Sequence, residues 1–121
     1  MGINTGKRAL MPMDSGPEIV RFIIALVSKK TGISKTEIIS HRHHAPIVRA
    51  RQTCFYLIQK YTSWSYPRMA EHIGKRDHTT ALASVKRLKE LMQTDTALAA
   101  QLSEFSILVE KGIEEGSAQV D

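Results

Sequence analysis

The sequence predicts an all-α fold, a single-domain helical bundle of about six helices that contains a helix-turn-helix. Three observations carry that prediction. Apolar residues recur at helical spacing from Ile19 to Val109, with no alternating strand pattern and no internal repeat. Helix-start residues and glycine stops punctuate those runs at intervals that leave only short connections. A chain of 121 residues that is 42% apolar can bury one modest core, which fits a single domain.

Met1 to Gly16 holds three glycines and one proline without an apolar period, so residues 1–16 are expected to be a flexible leader. A first helix is expected from Pro17, which suits a first-turn position. Ile19, Phe22, Ile23, Leu26 and Val27 form its stripe and Gly32 stops it. Ser34-Lys35-Thr36-Glu37 has the capping-box pattern and opens a short second helix ending near Ser40. The run His41-Arg42-His43-His44 then leads into a long third helix from Pro46 to about Tyr61, with Ile47, Cys54, Ile58 and Tyr61 on one stripe and Val48 and Phe55 beside it.

Ser65 is placed to cap a fourth helix over Tyr66 to Ile73, and Gly74 follows where a left-handed residue commonly ends a helix. Asp77 is a suitable N-cap for a fifth, able to accept from the backbone of Thr79 and Thr80, with Ala81, Leu82, Val85, Leu88 and Met92 facing a core. This helix, glycine turn and second helix form the helix-turn-helix pattern. Asp95 caps a last helix bearing Leu98, Leu102, Phe105 and Val109, and Gly112 and Gly116 mark its fraying end. The domain is therefore expected over 17–113, with a frayed tail over 114–121.

Charge is distributed unevenly. The net charge is +5, but Arg42 to Lys89 carries ten Lys or Arg against two acids, Glu71 and Asp77, whereas Glu90 to Asp121 carries seven acids against Lys111. One sign concentrated on the middle third is what a nucleic-acid-binding face backed by a solvated acidic helix produces. No apolar run reaches membrane-spanning length, and residues 1–16 lack the apolar stretch of a signal peptide, so the cytoplasm, with the nucleoid, is the expected compartment. The lone Cys54 lies in an apolar stripe, which excludes an intrachain disulfide framework and reads as a small buried hydrophobe.

The stretch Gly74-Lys75-Arg76-Asp77-His78-Thr79-Thr80-Ala81-Leu82 carries the most chemistry. It offers cations for phosphates, hydrogen-bonding groups for base edges and a threonine methyl for a thymine methyl, at the front of an amphipathic helix. Arg76-Asp77-His78-Thr79-Thr80 resembles the signature of the C-terminal domain of the bacterial chromosomal replication initiators, the DnaA family. Ile47-Val48-Arg49-Ala50-Arg51-Gln52 and Tyr61-Thr62-Ser63-Trp64-Ser65-Tyr66-Pro67-Arg68-Met69-Ala70 resemble its other blocks, so that the likeness runs from about Glu18 to Ile113.

That resemblance implies a Trp-repressor-like helix-turn-helix fold, that of the initiators' domain IV, binding double-stranded DNA as a monomer at an asymmetric site. It implies base contacts from Asp77, His78 and Thr79 in the major groove and from Arg51 in the minor groove. Backbone contacts are assigned to Arg49, Gln52, Lys60, Tyr66, Pro67, Arg68, Lys75, Arg76, Thr80, Lys86 and Arg87, with Lys60 matched to a family lysine at the same helix end. Three departures stand out. Ala50 replaces a usual proline, Lys75 replaces a second glycine, and Ser40-His41-Arg42-His43-His44 replaces a more arginine-rich loop whose contact should strengthen as the histidines protonate.

No Walker-type G-x-x-x-x-G-K-[ST] occurs, so no ATP site and no cofactor are expected, and the chain reads as a non-enzyme that regulates replication initiation or transcription. Two other readings were weighed. A metal-dependent hydrolase would use His41, His43, His44 and His78, but those loop histidines have no adjacent acid. A protein-interaction module would dock its acidic C-terminal helix and carry the basic face incidentally.

Overall fold

The computed structural model describes residues 16–74 and 76–116, and among these the chain is entirely helical apart from turns. Six helices follow in order: α1 (Gly16–Thr31), α2 (Lys35–Ile38), α3 (Ala45–Tyr61), α4 (Tyr66–His72), α5 (His78–Leu91) and α6 (Thr96–Glu115). The local signals explain most of the boundaries. Gly32 takes a φ of 79° just past α1, and Ser34 and Glu37 close the capping box reciprocally, Glu37 N–H donating to Ser34 Oγ at 3.1 Å and Ser34 N–H to Glu37 Oε1 at 3.3 Å. Ser65 Oγ accepts from the Arg68 N–H at 3.2 Å, and Asp95 Oδ1 from the Leu98 N–H at 3.0 Å.

α3 is the axle of the bundle. Every residue from Thr53 to Ile58 is buried, because α1 packs along one side, α5 along another, and α2 and α4 cover its ends. The core gathers Val20, Ile23 and Val27 from α1, Phe55 and Leu57 from α3, and Met69, Leu88 and Val109 from the later helices. α6 lies against α1, and Gly112 lets it do so: a Cβ there would collide with the Phe22 ring. Gly112 is thus a buried close-approach residue inside α6 rather than the start of a fraying end. The helix runs to Glu115 and is closed by Gly116 at φ 63°. At the other terminus Gly16 already belongs to α1; the rest of the expected leader and of the tail lies outside the described residues.

Two expectations about faces need correction. Leu82 is 45% exposed, because it sits about a quarter turn round from the Ala81–Val85–Leu88 stripe. Ser84 takes the buried place, its hydroxyl donating to the Thr80 carbonyl at 2.9 Å. Asp77 occupies the N-cap position of α5 in extended conformation, yet its side chain makes no capping hydrogen bond. Its carboxylate turns to His78 instead, with Oδ1 3.4 Å from Nδ1.

Candidate nucleic-acid interface

α4, the turn and α5 form the helix-turn-helix. Gly74 holds φ at 82°, and the Arg76 N–H reaches back to the Ala70 carbonyl at 2.7 Å, which sets the angle at which α5 leaves the turn. A Cβ on Gly74 would strike the Arg76 guanidinium and crowd the Ile39 carbonyl. The missing side chain is therefore the room in which Arg76 lies. Lys75 is outside the described residues.

The front of α5 is open. Asp77, His78, Thr79 and Thr80 are all exposed. Among the described residues their side chains make no contact beyond the His78–Asp77 approach, which is an ion pair only when the imidazole carries a proton. Lys86 and Arg87 are also exposed, about two turns further along α5.

Beside that front, between α5 and the first half of α3, runs a cleft of about 410 Å³. Arg51 and Gln52 come to it from α3, Arg76 from the turn, Thr80 and Arg87 from α5, and His43 from the α2–α3 connection. No lining residue is acidic. Five of the residues expected from sequence to meet a nucleic acid are thus brought to one place by three separate chain segments. His43 joins them from the Ser40–His44 loop, whose contact is expected from the sequence to strengthen as its histidines protonate.

Arg51 does something other than expected. It is 4% exposed, and its guanidinium donates through Nε to the Ile38 carbonyl at 2.7 Å and through Nη2 to the carbonyls of Glu37 at 3.2 Å and Ser40 at 2.9 Å. These carbonyls lie at or just past the C-terminal end of α2, a helix of one turn, and a cation suits that end; Ser40 N–H and Oγ also donate to the Glu37 carbonyl. Arg76 Nη2 donates to the same Ser40 carbonyl at 2.8 Å. Burial lowers the pKa of Arg51 from the usual arginine value, and Arg76 nearby lowers it further. In this conformation the Arg51 guanidinium is engaged with backbone inside the protein while the residue also lines the cleft.

The remaining expected residues spread over the surface. Arg49 is exposed on α3, and Tyr66, Pro67 and Arg68 sit at the start of α4. Arg68 lies over the Trp64 ring at 4.0 Å, and His72 meets that ring edge-on at 5.4 Å. Lys60, exposed near the end of α3, is bonded to α6. Its ammonium donates to Ser106 Oγ on α6 at 3.1 Å and lies over the Tyr56 and Tyr61 rings. Next to it Tyr61 donates to Glu110, and burial followed by that hydrogen bond pushes the phenol up to about 12. Cys54 is buried and likewise pushed up to about 12, which makes it an inert thiol. His41, His43, His44 and His78 do not assemble with acids into any group of three metal-ligand side chains among the described residues. No described helix is long and apolar enough to cross a membrane.

Comparison with known proteins agrees with this geometry. The family model for the bacterial dnaA protein helix-turn-helix matches residues 20–88, from α1 through most of α5. Chromosomal replication initiator protein DnaA from Xanthobacter autotrophicus is 33% identical over 102 residues, covering 84% of this chain and 20% of the relative. The proteins of that name from Mesorhizobium japonicum and Rhizobium meliloti are 38% and 34% identical, covering 71% and 69% of this chain and 18% of each relative. The chain therefore spans about a fifth of the length of these relatives. With the helix-turn-helix in place and matched over more than half of its length, the chain belongs to the bacterial DnaA helix-turn-helix family.

Proposed function

We propose that this protein binds double-stranded DNA in a sequence-dependent way, at a site of the kind that replication initiators occupy, and so regulates replication initiation or transcription. One observation carries the reading: the front of α5 presents four polar residues that have almost no internal use, directly beside a cleft containing three arginines and no acid. Polar side chains left open on a rigid helix end suit base-edge contact, and clustered guanidiniums suit phosphates.

In this reading α5 enters the major groove. His78 and Asp77 address base edges, and Thr79 offers its hydroxyl or methyl group. Arg76, Arg87, Gln52 and Thr80 meet one stretch of backbone at the cleft; Arg49, Lys75 and Lys86 extend the contact, and Arg68, with Tyr66 and Pro67, approaches from α4. Arg51 serves by shaping the loop at the cleft and by lending it charge. Binding is as a monomer, without ATP or catalysis.

The test is a band-shift titration of a duplex carrying an initiator-type box against a scrambled duplex, at two salt concentrations. Tighter binding to the box by about 10³-fold, with affinity for both duplexes falling as salt rises, is the expected result. Equal affinity for the two duplexes would remove sequence reading, and no binding to either would remove the function.

A further inference from the structure

Three of the five histidines, His41, His43 and His44, occupy the exposed connection between α2 and α3. That connection is held at its root. The Ser40 carbonyl accepts from both Arg51 and Arg76, the Ser40 hydroxyl donates to the Glu37 carbonyl at 2.6 Å, and the Arg42 N–H donates to Ser40 Oγ at 3.1 Å. The histidines therefore project from an anchored base, and His43 reaches the lining of the basic cleft.

The charged groups that line the cleft with His43 are of one sign: Arg51 from α3, Arg76 from the turn and Arg87 from α5. On the α2 side Glu37 is paired with Arg42 at 3.5 Å. On the front of α5 the further titratable pair is His78 with Asp77. A neutral imidazole adds no charge to such a cleft, whereas an imidazolium adds one and a second hydrogen-bond donor. A phosphate seated among the arginines favours the charged form, and by reciprocity protons favour the phosphate.

We propose that the His41–His44 connection is a proton-linked arm of the interface: seating duplex backbone in the cleft draws protons onto His43 and its neighbours, so that affinity for DNA rises as pH falls through the histidine range. The proposal rests on the DNA-binding reading above and adds regulation to the same face.

The experiment is fluorescence anisotropy of a labelled duplex carrying an initiator-type box, titrated at about pH 6 and about pH 7.5 at fixed ionic strength, with circular dichroism showing the protein folded at both. The expected affinity of the unsubstituted protein is roughly tenfold higher at the lower pH, the scale of about one proton taken up on binding. His43→Gln should reduce that ratio, and His41→Gln with His43→Gln and His44→Gln should bring it to about twofold or less. His43→Arg, which fixes a charge at the same place, should bind tightly at both values.

The idea is overturned if the unsubstituted protein binds equally at both pH values, if the triple variant keeps the full ratio, or if His78→Gln alone abolishes it. No duplex binding at either pH would sink both this proposal and the function beneath it, whereas pH-independent binding would sink this proposal alone.

Discussion

The front of α5 and the seam between α3 and α6 both place polar side chains on helices, and they use them in opposite ways. In the seam, Lys60, Tyr61, Ser106 and Glu110 satisfy one another, so the groups are consumed in holding α6 to the bundle. On α5, Asp77, His78, Thr79 and Thr80 stay open, and even the N-cap aspartate leaves its helix end unbonded. An unmade cap forgoes about 1 kcal/mol of stability, which is easier to understand in a group kept available for a ligand. The difference shows that net charge alone does not identify an interface; the bonding state of each charged group does.

The sharpest way to break that contrast is at Arg51, which carries interface charge yet behaves like a seam residue. Arg51→Ala leaves the Ile38 carbonyl without its donor, removes one of several donors to the Glu37 and Ser40 carbonyls and opens a hole beside α2, and should cost about 1–3 kcal/mol in chemical denaturation. Arg51→Lys should recover little of it, since an ammonium cannot reproduce the fork. A loss below about 0.5 kcal/mol would return Arg51 to the solvated class and reopen it as a groove-entering residue. Gly74→Ala comes next, combining a φ of 82° with a collision against the Arg76 guanidinium, and should lower stability by about 1–3 kcal/mol.

These two positions also mark where sequence reasoning reached and where it stopped. Caps and stops were legible because their chemistry is local: Ser34 with Glu37, Ser65, Asp95, Gly32 and Gly74 each act within four residues of themselves. The turn-helix front was legible for the same reason. Arg51 was not, because its partners belong to a one-turn helix whose direction relative to α3 depends on the tertiary fold. Lys60 has a partner hidden from sequence for a related reason: at a helix end it reads as free, and only the later packing of α6 gives it Ser106. Gly112 looked like a terminus because a glycine required by the Phe22 ring and a glycine that ends a helix have the same sequence signature.

On the open side the expected losses are in binding rather than in stability. His78→Ala should weaken the preferred duplex by about 1–3 kcal/mol and random duplex hardly at all, with the denaturation midpoint unchanged. Asp77→Ala should behave alike, because no cap bond is lost; a fall in stability of about 1 kcal/mol would mean that the carboxylate caps in solution. Lys86→Ala should reduce the slope of log affinity against log salt by about one unit, whereas Lys60→Ala should leave it unchanged. Equal slopes for the two variants would erase the distinction between a tethered and an open lysine.

The smallest effect tests a residue that lies between the two regimes. Burial, and after it the guanidiniums of Arg68 and Arg21, hold His72 below the ordinary histidine value of 6.5. The unfolded chain therefore takes up the proton first as pH falls, and stability contributed by the neutral imidazole is complete above that value and declines below it. The melting temperature should drop as pH falls below about 6.5, and His72→Gln should flatten that part of the curve. Because this decline weakens the fold in the same interval where the histidine arm is expected to tighten DNA binding, the two dependences have opposite signs. A duplex affinity that rises on acidification while the melting temperature falls cannot then be attributed to a general gain in stability, and it separates the arm at His43 from the ring at His72.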